Sequence, residues 1–442
     1  MKISNSIKVF GLGVLAAGLV SLSFGRVGPV SQYGQLQAGK NRDGKGQIYG
    51  ACKGVADGAE VQVKGMSLYW SSGEAAATDY YSEAAIDNLV SSMNVQIVRF
   101  VMGISESWDN NRGYLSGGAE RQKTYLNTVV NAAVKNDIYV IIDWHSHQAH
   151  TEVDNATKFF TEMAQKWGKY DNVIFELYNE PISTSWSEIK AYAEKIVPVI
   201  RQHSDNLILV GNRQYDQNPQ EAIGNTVSGE NIAYTFHYYA NSHCWSGQTS
   251  WGSACEGANA QQAIDAGLSV FVSEWGTANA DGGGTPDQSK NTGWQNWIDG
   301  NKLSWANWSA SKISEGTAAF QGSSSKTSLQ YTTSGNMVKG YLASNPTSYT
   351  KCANGNNDGG NNGGETPIFT KADLNHNVTF AGKTLHIAGV PATVEIFSIQ
   401  GNRLMVIDNV SGTLSLASLP AGKYLARINR GSSKLTRAFQ IK

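Results

Sequence analysis

The sequence predicts an α/β protein, a (β/α)8 barrel followed by a small C-terminal β-sandwich domain. Eight short apolar runs, each able to be buried on both faces, are the first observation: VQVKGMSL (61–68), VQIVRFVM (95–102), YVIIDWH (139–145), VIFELYNE (173–180), LILVGN (207–212), IAYTFHYY (232–239), SVFVSEWG (269–276) and LSWANWS (303–309). Amphipathic helical stretches between them are the second. Ile86, Leu89, Val90 and Met93 recur at helical spacing, as do Ile189, Ile196, Val197 and Ile200 behind a capping box from Ser185 to Glu188. Such alternation indicates a parallel sheet covered by helices, and eight repeats suit a closed barrel of about 250 residues. An open doubly wound sheet would need a Gly-rich dinucleotide turn after its first strand, and GMSLYWSSG is not one. The third observation is the change to short alternating runs after an Asn/Gly-rich stretch.

In chain order, Lys2 and Lys8 precede the apolar stretch VFGLGVLAAGLVSLSFG, the layout of a signal peptide over residues 1–25. The stretch is too short to span a bilayer comfortably, so the expectation is a secreted or cell-surface protein without stable membrane insertion. Residues 26–48 are polar and Gly-rich without a period and read as a leader; 49–352 hold the barrel. ANGNNDGGNNGGET, 353–366, has the composition of a linker, and 367–442 form the C-terminal domain.

A chain of 442 residues exceeds what one core usually supports, in keeping with this division. Thirty-five basic against thirty-six acidic residues give no electrostatic reason to expect nucleic acid, and twelve tryptophans with nineteen tyrosines suit flat, uncharged ligands such as sugar rings. Four cysteines suit an oxidising compartment and allow three pairings. We favour Cys244–Cys255 as a local staple and Cys52–Cys352 as a tie between the ends of the large domain.

A barrel carries its chemistry at the C-terminal ends of its strands. There the sequence places Arg99, His145, Asn179, Glu180, His237, Tyr239, Glu274 and Trp308. Two carboxylates at opposing strand ends beside an aromatic platform suit glycoside hydrolysis, although either glutamate alone could equally be a structural ion-pair partner. His145, His147 and His150 in HSHQAH could suggest a metal, but no carboxylate set with ligand spacing accompanies them, so neither metal nor cofactor is expected. Glu176 shares a pleat face with Glu180 and reads as a buried partner of a basic group. Trp144, Trp275 and Trp305 read as packing residues, whereas Trp245 and Trp251 are candidates for lining the cleft.

The set VRF, DWH, YNEP, HYY, SEWG and WANWS resembles clan A glycoside hydrolases, specifically family 5 in its bacterial endoglucanase branch, over roughly residues 50–352. The resemblance implies a retaining double displacement with Glu180 as acid/base, Glu274 as nucleophile, and the two carboxyls about 5 to 5.5 Å apart. It further implies that Asn179 bonds the sugar 2-hydroxyl, Arg99 and Tyr239 orient Glu274, His237 supports Glu180, His145 binds the sugar at the scissile bond, and Trp308 stacks on a ring. Partial desolvation should keep Glu180 protonated, while Arg99 should keep Glu274 ionised. Where relatives often carry a histidine after Gly-Met-Ser, this chain has Leu68, Tyr69 and Trp70. Trp70, Lys312 and Glu315 are therefore the carried-over substrate contacts that match least well.

The expected substrate is β-1,4-glucan and the expected state a monomer. Mannan, xylan or xyloglucan are alternative substrates, and a noncatalytic glycan-binding protein is a further alternative. The C-terminal piece, with VEIFSIQGNRL, SLASLPAGKYLARI and RAFQIK, resembles the sorting domain of type nine secretion substrates, which would make secretion machinery a partner. It has no tryptophan, which argues against a sugar-binding module.

Overall fold

In a computed structural model, the protein is described over residues 26–53, 60–248, 253–352, 378–381, 383–398, 403–430 and 433–441. The expected signal peptide and linker lie outside these residues, as does Trp251.

A short helix, Pro29–Tyr33, and an antiparallel hairpin of β1 (Leu36–Lys40) and β2 (Gly46–Gly50) come first. Eight parallel strands then close into a barrel: β3 (Lys64–Leu68), β4 (Ile97–Gly103), β5 (Tyr139–His145), β6 (Val173–Glu176), β7 (Ile208–Val210), β8 (Ile232–Tyr239), β9 (Val270–Gly276) and β10 (Trp305–Ala310), with β10 pairing β3. Each predicted run supplies one strand. The run 173–180 is ordered into the ladder only as far as Glu176, so Leu177 to Glu180 leave it before Pro181.

Helices cover the outside. Glu83–Met93 buries the predicted Ile86, Leu89, Val90 and Met93 and is capped by Ser82. Trp186–Arg201 starts at the predicted capping box, in which Ser185 and Glu188 satisfy each other's backbone N–H groups. Between β7 and β8 the crossover is reduced to the short turns Arg213–Asp216 and Pro219–Ala222.

Residues 26–48 are more than a leader. Their polar composition hides a few apolar residues, and Val30, Leu36 and Ile48 pack with Ile97, Ile141, Ile174, Leu209 and Phe271 at the end of the barrel where the strands begin. The helix and hairpin thus close the floor of the barrel. A periodicity argument misses this, because Val30, Leu36 and Ile48 are the buried apolar residues this stretch brings to that core. Cys52–Cys352 joins the start of the large domain to its end, and Cys244–Cys255 closes a loop after β8.

The C-terminal residues form a small β domain of antiparallel strands, β11 (Val378–Ala381), β12 (Thr384–Ser398), β13 (Arg403–Ser415), β14 (Gly422–Arg430) and β15 (Ser433–Ile441). Alternate residues Leu385 and Ile387, Val394 and Ile396, Ala426 and Ile428 build its core. The sequence runs are fewer as strands than as patterns: TLHIAG and ATVEIFSI merge into β12, and NRLMVIDN joins the start of the next run as β13.

Ile48→Ala should lower the unfolding free energy by roughly 2–5 kcal/mol, the usual cost of truncating a buried isoleucine. Chemical denaturation measures this, and kcat should stay unchanged because the plug lies at the opposite end from the strand termini described next.

Candidate active site

Inward positions on β4, β5 and β6 alternate with positions facing the helices, and the second layer above the plug carries charge instead of hydrocarbon. Arg99 on β4 is completely buried there. Its Nε donates to Glu176 Oε2 at 2.6 Å, Nη1 to Glu274 Oε2 at 2.7 Å, and Nη2 to Asn179 Oδ1 at 2.7 Å, with Asp143 Oδ2 3.0 Å from Nη2. One guanidinium therefore ties together the ends of β5, β6 and β9. Glu176 is the buried ion-pair partner that its pleat position suggests.

Glu274 reaches this cluster through a bulge. Thr235 pairs with Phe271, but His237 pairs with Glu274, so β9 has one residue more than β8 between the two pairs. Ser273 and Glu274 consequently both bond groups inside the barrel, Ser273 to Glu176 and Glu274 to Arg99. Tyr239 Oη donates to Glu274 Oε1 at 2.7 Å. Its ring lies over Gly276, where a Cβ would sit 2.2 Å from the ring, so the glycine of SEWG admits the tyrosine.

Glu180 sits across from Glu274; one carboxylate oxygen from each, together with a nitrogen of His237, lie within 4.8 Å of one another. His237 Nδ1 donates to Glu180 Oε1 at 3.0 Å and Nε2 bonds Ser273 Oγ at 2.9 Å, while the Ser273 hydroxyl donates to Glu176 Oε1 at 2.5 Å. Asp216 Oδ2 lies 3.6 Å from His237 Nε2 and is bonded by Thr235. His147 Nε2 lies 3.5 Å from Glu180 Oε2. His145 bonds Asp143 through Nδ1 at 2.6 Å and faces the Asn179 amide at 3.4 Å.

Burial alone would discharge these groups, so their charge states follow from their partners. Burial disfavours the His237 cation, but Asp216, Glu176, Glu180 and Glu274 outweigh it and hold the imidazole protonated well above its usual range. Burial and the Arg99 charge drive His145 well below that range, leaving it neutral. Burial raises Glu180, yet His147 and His237 overcome it and bring its carboxyl down to about 2. Glu274 is raised by burial and by the Glu180 charge, against the pull of His237, Arg99 and Tyr239. The Glu180 direction is opposite to the expectation that desolvation keeps it protonated, whereas Arg99 acts on Glu274 in the expected sense but is outweighed by burial and the Glu180 charge. The sequence could not show two imidazoles converging on one carboxylate.

The ring of Trp308 is stacked parallel to His145 at 5.6 Å and is only 5% exposed. Tyr69 leans against it at 5.0 Å and donates to Glu315 Oε1 at 3.2 Å, and Trp70 meets the His145 ring edge-on at 4.1 Å. Lys312 departs from the expectation: its ammonium is engaged by Asp79 Oδ2 at 2.6 Å and by the Ser324 carbonyl, so it does not join this cluster. Trp245 packs against Trp294 on the helical side of the barrel rather than on the cluster. Trp144, Trp275 and Trp305 are buried in the core as expected.

The sequence assigned no role in the site to Asp143, Ser273, Asp216 and Tyr215, and offered His147 only as a metal ligand. The first two lie on the inward faces of runs already identified. Asp216 ends three consecutive residues with left-handed backbone, Gln214, Tyr215 and Asp216, which no local pattern announces. The same segment leaves Tyr215 42% exposed beside His147. His145, His147 and His150 do not form one ligand set: they engage Asp143, Glu180 and Tyr178, respectively.

Residues 55–314 match the model of the cellulase family, glycosyl hydrolase family 5. Endoglucanase Z of Dickeya dadantii is 39% identical over 284 residues, which is 64% of this chain and 62% of that protein. The chain thus spans about three fifths of that relative's length. A solved structure from Cytophaga hutchinsonii is 34% identical, with a TM-score of 0.63 over 72% of this chain and 96% of the other. The catalytic domain of Thermobifida fusca endoglucanase Cel5A is 29% identical, with a TM-score of 0.60 over 72% and 100% of the two chains.

Removing the guanidinium leaves several carboxylates buried and uncompensated. Arg99→Met should destabilise the fold by roughly 3–5 kcal/mol, and Arg99→Lys should recover only part of this, because one ammonium cannot reach partners on three strands. Urea denaturation of both variants checks this.

Proposed function

The chain belongs to glycosyl hydrolase family 5, and from that premise we propose that it is a retaining endo-β-1,4-glucanase acting on internal bonds of cellulose or related β-glucans. The observation that supports the retaining mechanism is that one carboxylate oxygen of Glu180 and one of Glu274 lie within 4.8 Å of each other. Inverting enzymes separate their carboxyls by roughly 6.5–9.5 Å to admit a water.

Glu274 attacks the anomeric carbon, forming a glycosyl ester, while the leaving oxygen takes a proton from Glu180. Glu180 then accepts a proton from water as that water attacks the ester, releasing the sugar and Glu274. Arg99 and Tyr239, one on each oxygen, aim the nucleophile. The proton for the first step is held by Glu180 and its histidines together. Its transfer across the 3.0 Å bond from His237 turns carboxylate and imidazolium into acid and imidazole. A sugar ring that excludes water favours this neutral pair, since charges are costly away from solvent. Asn179, held by Arg99, is placed for the 2-hydroxyl, and His145 with Trp308 for the ring of the scissile sugar. Trp70 and Glu315 extend the sugar-binding side, and Tyr215, exposed beside His147 on the acid/base side, is suited to the departing chain.

Export by the N-terminal segment is supported by its charged-then-apolar layout and by two disulfides. The β domain is proposed to be a sorting module recognised by secretion machinery, on the strength of its sequence pattern, and the boundaries 1–25, 353–366 and 367–442 are proposed with it.

Reducing-end release and viscosity loss on carboxymethyl cellulose, mixed-linkage glucan, mannan and xylan test the substrate. A rapid viscosity fall on the cellulose derivative is expected, and activity confined to mannan would overturn the reading. Glu274→Gln should abolish turnover while keeping oligosaccharide binding. Glu180→Gln should slow cellulose cleavage roughly a hundred- to ten-thousand-fold, with far less effect on formation of the ester from aryl cellobiosides carrying a good leaving group. The pH profile should be bell-shaped. Because the Glu274 pKa is raised, activity should disappear on acidification through a value above that of an ordinary glutamate.

A further inference from the structure

Each oxygen of Glu180 faces its own imidazole. Oε1 is bonded by His237, which is buried and locked from behind by Ser273. Oε2 faces His147, whose side chain is 34% exposed. The position of His147 is built rather than incidental. Its carbonyl accepts the Tyr178 hydroxyl at 2.9 Å, and Glu180 N–H reaches the preceding Ser146 carbonyl at 3.4 Å, so the loops after β5 and β6 are stitched together. Trp70 and Tyr215 bracket the His147 ring, both close to perpendicular to it, at 6.1 and 6.5 Å.

We propose that His147 shares a proton with Glu180, so that the pair, not the carboxyl alone, sets the alkaline limit of hydrolysis. The proposal rests on the reading of Glu180 as acid/base. Physically, one proton distributed over two adjacent sites is bound more tightly than by either site alone. Loss of one site lowers the pH at which the last proton leaves. Burial is the largest single influence on His147 and opposes its cation; Glu180, Glu106 from the loop after β4 and Glu274 from β9 favour the cation and together outweigh burial. The balance is a raised pKa for His147. Because His147 is partly exposed while His237 is enclosed, His147 is the member of the group that exchanges its proton with solvent.

The test is the pH dependence of kcat/KM on a soluble β-glucan for the full chain and for His147→Gln, with His147→Phe as a second variant should the first fold poorly. Normalised to its own maximum, each variant should lose activity at lower pH than the parent, by about one pH unit, with little change in KM. A uniform fall in kcat with the alkaline limb unmoved would make His147 a structural residue. A rise in KM at all pH values with the limb unmoved would make it a sugar contact, and either result overturns the proposal. Nitrogen-15 shifts supply an independent readout: the His147 ring should be cationic in the parent and lose its proton at lower pH in Glu180→Gln, whereas an unchanged titration would also overturn it. A parent chain with no hydrolytic activity would instead refute the functional reading on which the proposal stands.

Discussion

The Arg99 guanidinium is the interaction on which the upper half of this barrel depends. A barrel interior built from hydrocarbon would exclude carboxylates, because an unpaired buried charge is prohibitively costly. Arg99 reverses that constraint by offering its fork of N–H donors to Glu176, Glu274 and Asn179 at once, with Asp143 alongside. Three of those residues come from three strands and Asn179 from the segment just after β6, so the cation also holds the strand ends together. Below it the layer is apolar and sealed by the N-terminal hairpin; above it lie Glu180 and the histidines that face it.

Once one cation is committed to Glu274, the opposite carboxylate of Glu180 needs partners of its own. His237 and His147 provide them, and the ring of acids around His237 keeps that imidazole charged. The site is thus a set of coupled proton sites rather than two independent glutamates. Its division of labour rests on which partner each carboxylate has: a guanidinium that cannot give up its proton on one side, and imidazoles that can on the other. An acid/base residue is well served by the second arrangement and a nucleophile by the first.

Much of this was legible in the chain. Hydrophobic period and run length gave the eight staves, since strands buried on both faces must be apolar throughout, and the capping box at Ser185 marked a helix start for a local reason that tertiary contacts do not alter. The motifs at the run ends named Arg99, His145, Asn179, Glu180, His237, Tyr239 and Glu274, and closure of the barrel brings all seven to one end. The hairpin at 36–50 was not legible, because its few apolar residues acquire meaning only against the barrel floor. Nor was the commitment of Lys312 to Asp79, which are far apart in sequence.

The sequence alone determined the periodicity and the eight barrel strands, because these depend on neighbours within one turn or one pleat. Tertiary structure decided where each charge resides. Strict alternation would place Glu274 on the same face as Val272, away from Arg99; only the bulge between β8 and β9 turns it inward. The partner of Glu180 likewise depends on two loops meeting above the barrel. Electrostatic energies vary with distance and dielectric across the whole fold, and no local pattern of residues carries that information.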